Sequence, residues 1–328
     1  MAERRAVALA ADLRKDPLTA STSIVVPVWD VEKAANPAPV PLEMPLGSTP
    51  CPFCPEQMAD PVTSAGEETA RAGGGAPSRP WSAMALRNRW PNTTDPDAAE
   101  VVVLSDVHGA HLLDMALDDA ETALRLVVER AEVQRRRGLY PLVFVNHGVN
   151  AGSSQPHPHG QVLGLSRPDP LATHEAPALT GGRCVLCEPV PAERVVARLE
   201  GVSIVMPDAP TVDYEQRVVL ETHHLDTHHL DTRHLDSHGG AWPRALGAGI
   251  GVALRALWTV TGPVAYNLLF HLDRHPHVHV TPRSARHSGY ELAGIATCYV
   301  DPSSATTRLA EAAALETTSG GVSRSDAA

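Results

Sequence analysis

Apolar residues recur every three or four positions between about 113 and 137, which is the period of one buried helix face. Three arginines at 135–137 suit the carboxyl end of such a helix, and Gly138 predicts where it ends. The run 142–145 is short and wholly apolar, as in a buried strand, and a strand-like run at 101–104 lies before the helix. The pattern predicts strand, helix and strand in this order, followed by a loop of small residues.

The same order of elements recurs further along the chain. Strand-like runs near 194–206 and 217–220 precede a helical pattern near 244–258, and another strand-like run covers about 264–270. A Cys-x-x-Cys pair precedes each series, and a histidine-rich segment follows each. Repetition at this spacing indicates duplication of an α+β unit, so the chain should consist of two related halves.

The connections between these elements are polar or rich in small residues. Residues 64–80 and 304–328 are expected to be flexible, and 167–182 is the expected linker between the halves. Residues 222–236 contain an imperfect pentapeptide repeat, Thr-His-His-Leu-Asp twice and Thr-Arg-His-Leu-Asp once. A five-residue period keeps neither a helix face nor a strand face in phase, so a polar connection is favoured, although one of its histidines could be a ligand.

The composition is that of a globular protein, with 43% hydrophobic and 20% charged residues among 328. The formal net charge of −11 argues against a surface that coats nucleic acid, but a few arginines and backbone amides suffice to hold a nucleotide. The first residues lack the apolar core and cleavage signature of a signal peptide, and no apolar run is long enough to span a membrane. We therefore expect a cytoplasmic protein with neither nucleic acid nor a membrane as partner.

Four of the five cysteines form two Cys-x-x-Cys pairs, Cys51/Cys54 and Cys184/Cys187. In a reducing cytoplasm such pairs are explained better by metal-bound thiolates than by disulfides. Cys298 stands in a strand-like stretch and is expected to be a buried core residue.

Residues 156–161 read Pro-His-Pro-His-Gly-Gln and carry the strongest functional signal of the chain. In an extended strand, His157, His159 and Gln161 point to one face. A neutral imidazole can ligate a metal or attack phosphorus, whereas a glutamine can orient a group but cannot act as a general acid. The combination favours transfer of a phosphorus-bearing group through a histidine over hydrolysis.

Several segments together resemble the galactose-1-phosphate uridylyltransferase family, the nucleotidylyltransferase branch of the histidine-triad superfamily. The most specific is the hexapeptide with the small-residue loop before it, and the others are 13–19, 51–55, 86–90 and 289–291. The resemblance covers nearly the whole chain. It implies an α+β fold of two fused histidine-triad-like halves, each an antiparallel sheet with packed helices. The halves would cover residues 1–166 and 183–303.

By this resemblance, His159 attacks the α-phosphorus of a nucleoside-diphosphate sugar, expels a sugar 1-phosphate, and transfers the nucleotide, UMP by expectation, to a second sugar 1-phosphate. The expected catalytic partners of His159 are Gln161, Ser154 and Asn146. The residues expected to hold nucleotide and sugar are Arg87, Asn88, Arg89, Ser153, Tyr290 and Glu291. Thr297 stands where the galactose enzymes place a sugar-binding glutamine. The resemblance also allows a homodimer.

The resemblance further implies a structural zinc ion that fixes the strand carrying His159. Its expected ligands are Cys51, Cys54, His108 and His157, with His111 as the alternative to His108. A second metal, zinc or iron, is expected in the second half. One ligand set consists of Cys184, Cys187, His275 and a histidine of the repeat, His224 or else His223. The other consists of His271, His277 and His279, and the sequence alone leaves this choice open.

Three other functions remain as alternatives. An adenylyl-sugar phosphorylase of the same family would act on an ADP-sugar with inorganic phosphate as acceptor. A histidine-triad hydrolase would use His275, His277 and His279 to cleave a nucleotide, because that run also matches the triad strand of those enzymes. In the transferase family, however, the equivalent strand is non-catalytic. The third alternative is a non-catalytic, zinc-stabilised binding module.

Overall fold

The computed structural model describes residues 12–25, 41–57, 81–89, 91, 95–180, 184–221, 242–283 and 289–319. Its strands are β1 (Asp12–Lys15), β2 (Thr22–Val25), β3 (Met84–Arg87), β4 (Ala99–Val103), β5 (Tyr140–His147), β6 (His159–Leu165), β7 (Val195–Leu199), β8 (Val202–Val205), β9 (Gln216–Leu220), β10 (Tyr266–His271), β11 (His277–Pro282) and β12 (Ala296–Cys298). Its α-helices are α1 (Leu117–Arg136), α2 (Pro170–Glu175), α3 (Trp242–Thr261), α4 (Gly289–Leu292) and α5 (Pro302–Ser319).

Nine of these strands form one sheet in the order β3-β4-β6-β5-β10-β11-β9-β8-β7, in which each neighbouring pair is antiparallel. The predicted α+β class with antiparallel sheets is confirmed. The two predicted sheets, however, are continuous with each other, because β5 of the first half pairs with β10 of the second over five residue pairs. Hydrogen bonds of the sheet therefore cross the boundary between the halves.

Helix α1 illustrates how the sequence pattern folds. Its buried face includes Leu124, Val127, Val128 and Ala131, which follow the spacing of one helix face. Acidic residues in the first turn and arginines in the last turn complement the helix dipole, and Gly138 adopts a φ of +77° just after the end. The helix begins a few residues later than predicted, because residues 112–114 form a separate 3-10 turn.

The main hydrophobic core lies between one face of the large sheet and helices α1, α3 and α5. In β6 and β11 the residues that enter this core are Val162, Val278 and Val280. Side chains alternate along a strand, so the intervening residues of β6 and β11 face the opposite side of the sheet. Both predicted histidine motifs therefore lie on the face away from α1, α3 and α5.

A second, three-stranded sheet joins the two ends of the chain in the order β1-β2-β12. Residues 12–25 were predicted to belong to the first half, but β2 pairs with β12, and Ser23 donates to the carbonyl of Pro210. Asp16, which is 1% exposed, forms an ion pair with Arg217, which is 4% exposed. Residues 12–25 thus pack on the second half. A buried carboxylate is costly unless it is paired with a cation, and Arg217 of the second half is the cation that pairs with Asp16.

Two segments predicted as irregular are helical. Residues 302–319 form α5, and Ala305, Leu309, Ala312 and Ala313 are buried in the main core, so the predicted flexible tail is wrong for 304–319. The predicted linker 167–182 contains α2, whose first turn is capped by Asp169. The pentapeptide repeat with His223 and His224, the segment 64–80 and residues 320–328 lie outside the described residues.

Among the described helices, none is both long and apolar enough to cross a membrane.

Candidate functional site

His159 is the first residue of β6 and is only 6% exposed. Its Nδ1 lies 2.8 Å from the backbone oxygen of His157, an acceptor, so Nδ1 carries the proton and Nε2 keeps a lone pair. Burial holds the pKa of His159 below its usual value, with a partial opposing effect from this hydrogen bond. The imidazole is therefore neutral near pH 7, and the lone pair of Nε2 remains available for a metal or for a bond to phosphorus.

Two side-chain amides lie on the same face of the sheet as His159. Gln161 is two residues further along β6, and its Oε1 lies 3.5 Å from the Nδ2 of Asn88. In the antiparallel pairing of β5 with β6, Val145 lies opposite Gly160. Asn146, the next residue of β5, therefore lies opposite His159. These are the predicted partners of His159, and Asn88 joins them from the end of β3.

The small-residue loop between β5 and β6 turns sharply at two glycines, Gly148 and Gly152, with φ of +87° and +82°. At Gly148 an added Cβ would approach Ala265 to 2.8 Å, so the loop also passes close to the second half. Ser153 donates from Oγ to the backbone oxygen of Gln155, while Ser154 is exposed. The loop thus leads from Asn146 to His159 in a defined conformation.

The predicted nucleotide and sugar contacts are less uniform. Arg87 is exposed, and its side chain pairs with Asp97 on the surface rather than with the amides beside His159. Arg89 and Tyr290 are exposed as well. Glu291 accepts a hydrogen bond from Thr297, the residue found where the resemblance leads to the expectation of a sugar-binding glutamine.

The first predicted metal group is assembled. The sulfur atoms of Cys51 and Cys54 and one ring nitrogen each of His108 and His157 lie within 4.8 Å of one another. His157 is fully buried, and its Nε2 donates to the carbonyl of Ser105, which leaves Nδ1 directed at the cysteines. Two thiols and two imidazoles form a donor set that suits a closed tetrahedral zinc site.

The alternative ligand His111 lies elsewhere. Its Nδ1 is 3.2 Å from the Nε2 of the buried His147, and its ring packs on Trp258 on the helix side of the sheet. The choice of His108 over His111 thus agrees with the geometry.

The metal group also shapes the surroundings of His159. Phe53, between the two cysteines, has its ring centroid 5.0 Å from that of His159 and touches the ring of His157 edge-on. Because the Cys-x-x-Cys turn carries Phe53, a metal that fixes this turn would also fix one wall beside the imidazole.

The second half assembles both candidate ligand sets. Cys184, Cys187 and His275 form one group, with the Nδ1 of His275 at 3.4 and 3.6 Å from the two sulfur atoms. The proposed fourth ligand, His224 or His223, lies outside the described residues. Three ligands of the zinc type therefore converge here.

The other group contains His271, His277, His279 and, in addition, Glu175. Glu175 was not predicted, because it belongs to the segment 167–182 and is 96 positions away from His271. The Nε2 atoms of all three histidines and Oε1 of Glu175 are buried and make no hydrogen bond of good geometry. The Nε2 atoms of His279 and His277 nevertheless lie 2.9 and 3.3 Å from the carboxylate of Glu175. Buried nitrogen and oxygen atoms that converge in this way fit a bound cation, and imidazole with carboxylate suits zinc or iron.

The protonation states in this group match that interpretation in part. Burial lowers the pKa of His277 to about 4, so its ring is neutral. Burial alone would raise the pKa of Glu175. The three imidazoles lower this pKa by more than burial raises it, so the carboxylate is charged. Burial would also lower the pKa of His279, yet Glu175 and Glu215 hold it above its usual value. A metal would displace the proton of His279 on binding.

Comparison with known proteins gives one family match. Residues 81–167 match the model of the galactose-1-phosphate uridyl transferase N-terminal domain, which includes β3 to β6 and the His159 motif. Among curated proteins, none matches the sequence.

Solved structures share the fold over nearly the whole chain. A galt-like protein from Arabidopsis thaliana has a TM-score of 0.72 at 22% identity and covers 93% of this chain and 99% of its own. An ADP-glucose phosphorylase from the same plant, with bound ADP-glucose, has a TM-score of 0.72 at 20% identity, with 92% and 99% covered. A uridylyltransferase has a TM-score of 0.64 at 23% identity, with 93% and 99% covered.

The matched range contains the hexapeptide and residues 86–90, whereas 13–19, 51–55 and 289–291 lie outside it. Residues 81–167 therefore resemble a galactose-1-phosphate uridyl transferase N-terminal domain in sequence, and the chain shares its fold with the three solved structures over both halves.

Proposed function

We propose that this protein transfers a nucleoside monophosphate between a nucleoside-diphosphate sugar and a phosphate acceptor through a covalent nucleotidyl-His159. The observation that supports this most directly is the fixed tautomer of His159, whose Nδ1 is bonded to the His157 carbonyl. A buried, neutral imidazole with one free nitrogen is a suitable nucleophile for phosphorus. The match of residues 81–167 to a galactose-1-phosphate uridyl transferase N-terminal domain agrees with this proposal.

In the first step, the lone pair on Nε2 of His159 forms a bond to the α-phosphorus. The bond from that phosphorus to the bridging oxygen breaks, and the sugar 1-phosphate leaves with the electron pair. In the second step, an oxygen of the acceptor phosphate attacks the same phosphorus, and the electrons of the N–P bond return to Nε2. No water is consumed, and the proton stays on Nδ1 throughout.

The side chains around His159 supply hydrogen bonds rather than protons. Gln161 and Asn146 can donate to the non-bridging oxygens, where negative charge develops during transfer. Neither amide titrates, so the leaving phosphate receives no proton from them, and a sugar 1-phosphate needs none to leave. This set favours transfer to a phosphate over hydrolysis.

A metal held by Cys51, Cys54, His108 and His157 would stabilise the fold around His159 and take no part in the reaction, since its four ligands close the coordination shell. The Glu175 group and the Cys184 group would stabilise the second half in the same manner.

The nucleotide we propose first is UMP, with a sugar 1-phosphate as acceptor. An ADP-sugar phosphorylase is the second candidate, and it is favoured by the TM-score of 0.72 to an ADP-glucose phosphorylase over 92% of this chain. The hydrolase alternative has weaker support, because the Nε2 of His277 lies 3.3 Å from Glu175 inside the fully buried group.

The test is intact-mass analysis of metal-loaded protein mixed separately with UDP-, ADP- and GDP-sugars. We expect an acid-labile mass gain of one nucleotide with one class of donor, and none in His159→Ala. Adding sugar 1-phosphate or inorganic phosphate to the modified protein then identifies the acceptor by removing the adduct. If no donor modifies the wild-type protein, the proposed function is wrong.

A further inference from the structure

A chain of side-chain hydrogen bonds runs from the second half to Asn146. Arg283, just after β11, donates from Nε to the Oδ1 of Asn267 in β10. The Nδ2 of Asn267 donates to the Oδ1 of Asn146 at 2.7 Å and to the backbone oxygen of Ala151 at 2.9 Å. These contacts cross the β5–β10 pairing, where Asn267 lies directly opposite Asn146.

The orientation of each amide in this chain follows from the chemistry of its ends. A guanidinium only donates, so Arg283 requires an oxygen from Asn267. A backbone carbonyl only accepts, so Ala151 independently requires the nitrogen of Asn267. With its nitrogen facing Asn146, Asn267 requires the oxygen of that residue. The NH₂ group of Asn146 then points away from Asn267.

The direction in which this NH₂ group points is toward the loop that precedes His159. Nδ2 of Asn146 lies 3.7 Å from where a Cβ on Gly152 would stand. Ala151, the other acceptor of Asn267, ends the 3-10 turn from which this loop departs. Asn267 therefore fixes both the amide beside His159 and the start of the loop.

On this basis, and resting on the proposed function, we infer that Arg283 and Asn267 are positioning residues for nucleotidyl transfer. They hold Asn146 with its NH₂ group toward the phosphate that His159 attacks. The reactive face of the first half is thus completed by two residues of the second half. An unconstrained asparagine could present either its donor or its acceptor, and the acceptor would repel a phosphate oxygen.

The test measures the rate constant of adduct formation on His159 at saturating donor, together with the apparent dissociation constant of the donor. Arg283→Met removes the donor to Asn267 at similar length, whereas Arg283→Lys keeps one. Because loss of one well-placed donor costs about 10²-fold, we expect a loss of about 10-fold or more in Arg283→Met. The lysine variant should retain most of the wild-type rate.

Asn267→Asp breaks the chain at its centre, since a carboxylate still accepts from Arg283 but cannot donate to Asn146 or Ala151. It should slow adduct formation by about 10- to 100-fold. Arg194→Met is the matched control, because Arg194 is likewise a half-buried arginine whose Nε donates to an oxygen, the carbonyl of Met206, and it also pairs with Asp208, but it lies near the far edge strand β7. This control should leave the rate unchanged.

A purely structural role would affect folding without coupling to Asn146. Thermal unfolding and metal content identify variants that fold poorly, and the double variant Arg283→Met with Asn146→Ala provides the decisive comparison. If Arg283 acts through Asn146, the double variant is about as slow as Asn146→Ala alone. The inference is wrong if the double variant shows the product of the two single rate losses, or if Arg283→Met is as fast as the wild type. Either result leaves the proposed function intact. A wild type without any adduct overturns both.

Discussion

β6 of the first half and β11 of the second occupy matching places, each beside the central pair β5–β10. Each begins with a histidine whose Nδ1 bonds to the carbonyl two residues earlier, at 2.8 Å for His159 and 2.7 Å for His277. The histidines two residues before them, His157 and His275, each face a Cys-x-x-Cys pair. Up to this point the two strands are nearly the same structure.

They differ in the side chains around that histidine. His277 is opposite His271 and two residues before His279, whereas the corresponding neighbours of His159 are Asn146 and Gln161. The second half also adds the carboxylate of Glu175. On the proposed function, two amides leave the imidazole of His159 available to a phosphate, while two imidazoles and a carboxylate surround His277 as one candidate ligand among four. On that proposal, three side chains decide whether the same backbone supports transfer chemistry or cation binding.

The largest expected effect separates the two histidines. His159→Ala should reduce exchange of labelled sugar 1-phosphate into its nucleotide sugar by about 10⁴-fold or more, because a nucleophile has no substitute. His277→Ala should retain exchange at temperatures where it stays folded. Exchange that survives the first change and disappears with the second would reverse the roles assigned to the halves.

The Glu175 group can be tested through metal content. Glu175→Ala should lose about one equivalent of bound metal, and the free energy of unfolding should fall by about 3–5 kcal/mol, as when one partner of a buried charged group is removed. Chemical denaturation and elemental analysis measure the two quantities. Glu121→Gln, which removes a carboxylate of α1 that pairs with Arg125 and Arg244, is the control; it should leave the metal content unchanged and lower the free energy of unfolding by about 1 kcal/mol or less. Unaltered metal content in Glu175→Ala would contradict a cation site in this group.

Gln161 tests the contribution of the amides. Gln161→Ala should slow adduct formation by about 10²-fold, as for other single donors to a developing oxyanion. Gln161→His copies the residue at the corresponding position of the second half. It should not restore the rate, and addition of zinc should inhibit it further if imidazoles on this face begin to bind a cation. A rate in Gln161→Ala equal to that of the wild type would mean that this amide does not contact the phosphate.

The smallest expected effect concerns His147, whose corresponding position in the second half is Leu272. Burial lowers the pKa of His147 to about 4, while the unfolded chain has an ordinary value near 6.5. The unfolded state therefore binds more protons than the folded state between pH 4 and pH 6.5. The contribution of His147 to the free energy of unfolding is complete above pH 6.5 and decreases as the pH falls toward 4. The loss attributable to this residue is at most about 3 kcal/mol.

His147→Leu should make the unfolding free energy less dependent on pH in that window, because it removes the group that the native state keeps neutral. Denaturation curves of both proteins at pH 7 and pH 5 measure the difference. An identical pH dependence in the two proteins would show that His147 does not titrate as described.

The sequence predicts the parts of this molecule that depend on local pattern. The helical spacing of Leu124, Val127 and Val128 is visible in the sequence. The cysteine and histidine motifs likewise contain most of the residues that the structure groups as candidate metal ligands. Glu175 could not be found in this way, because nothing next to it in sequence indicates a partner 96 positions away. The position of residues 12–25 depends likewise on contacts with distant residues of the other half, which are the pairing of β2 with β12 and the ion pair of Asp16 with Arg217.

The predicted flexible tail failed for a different reason. Helix α5 is rich in alanine and threonine, so its pattern is weak, and its burial depends on the surface that α3 and β7 provide. Helix propensity and periodicity are properties of a segment by itself. Whether such a helix packs on the protein depends on the apolar surface available to it, which here is formed by α3 and β7.

The pairing of β5 with β10 has a consequence for the stability of each half. Splitting the protein between its halves would remove the partner of a long strand in both fragments and expose an unpaired strand edge that can associate with other chains. Each half therefore protects an edge of the other, whatever chemistry either half performs.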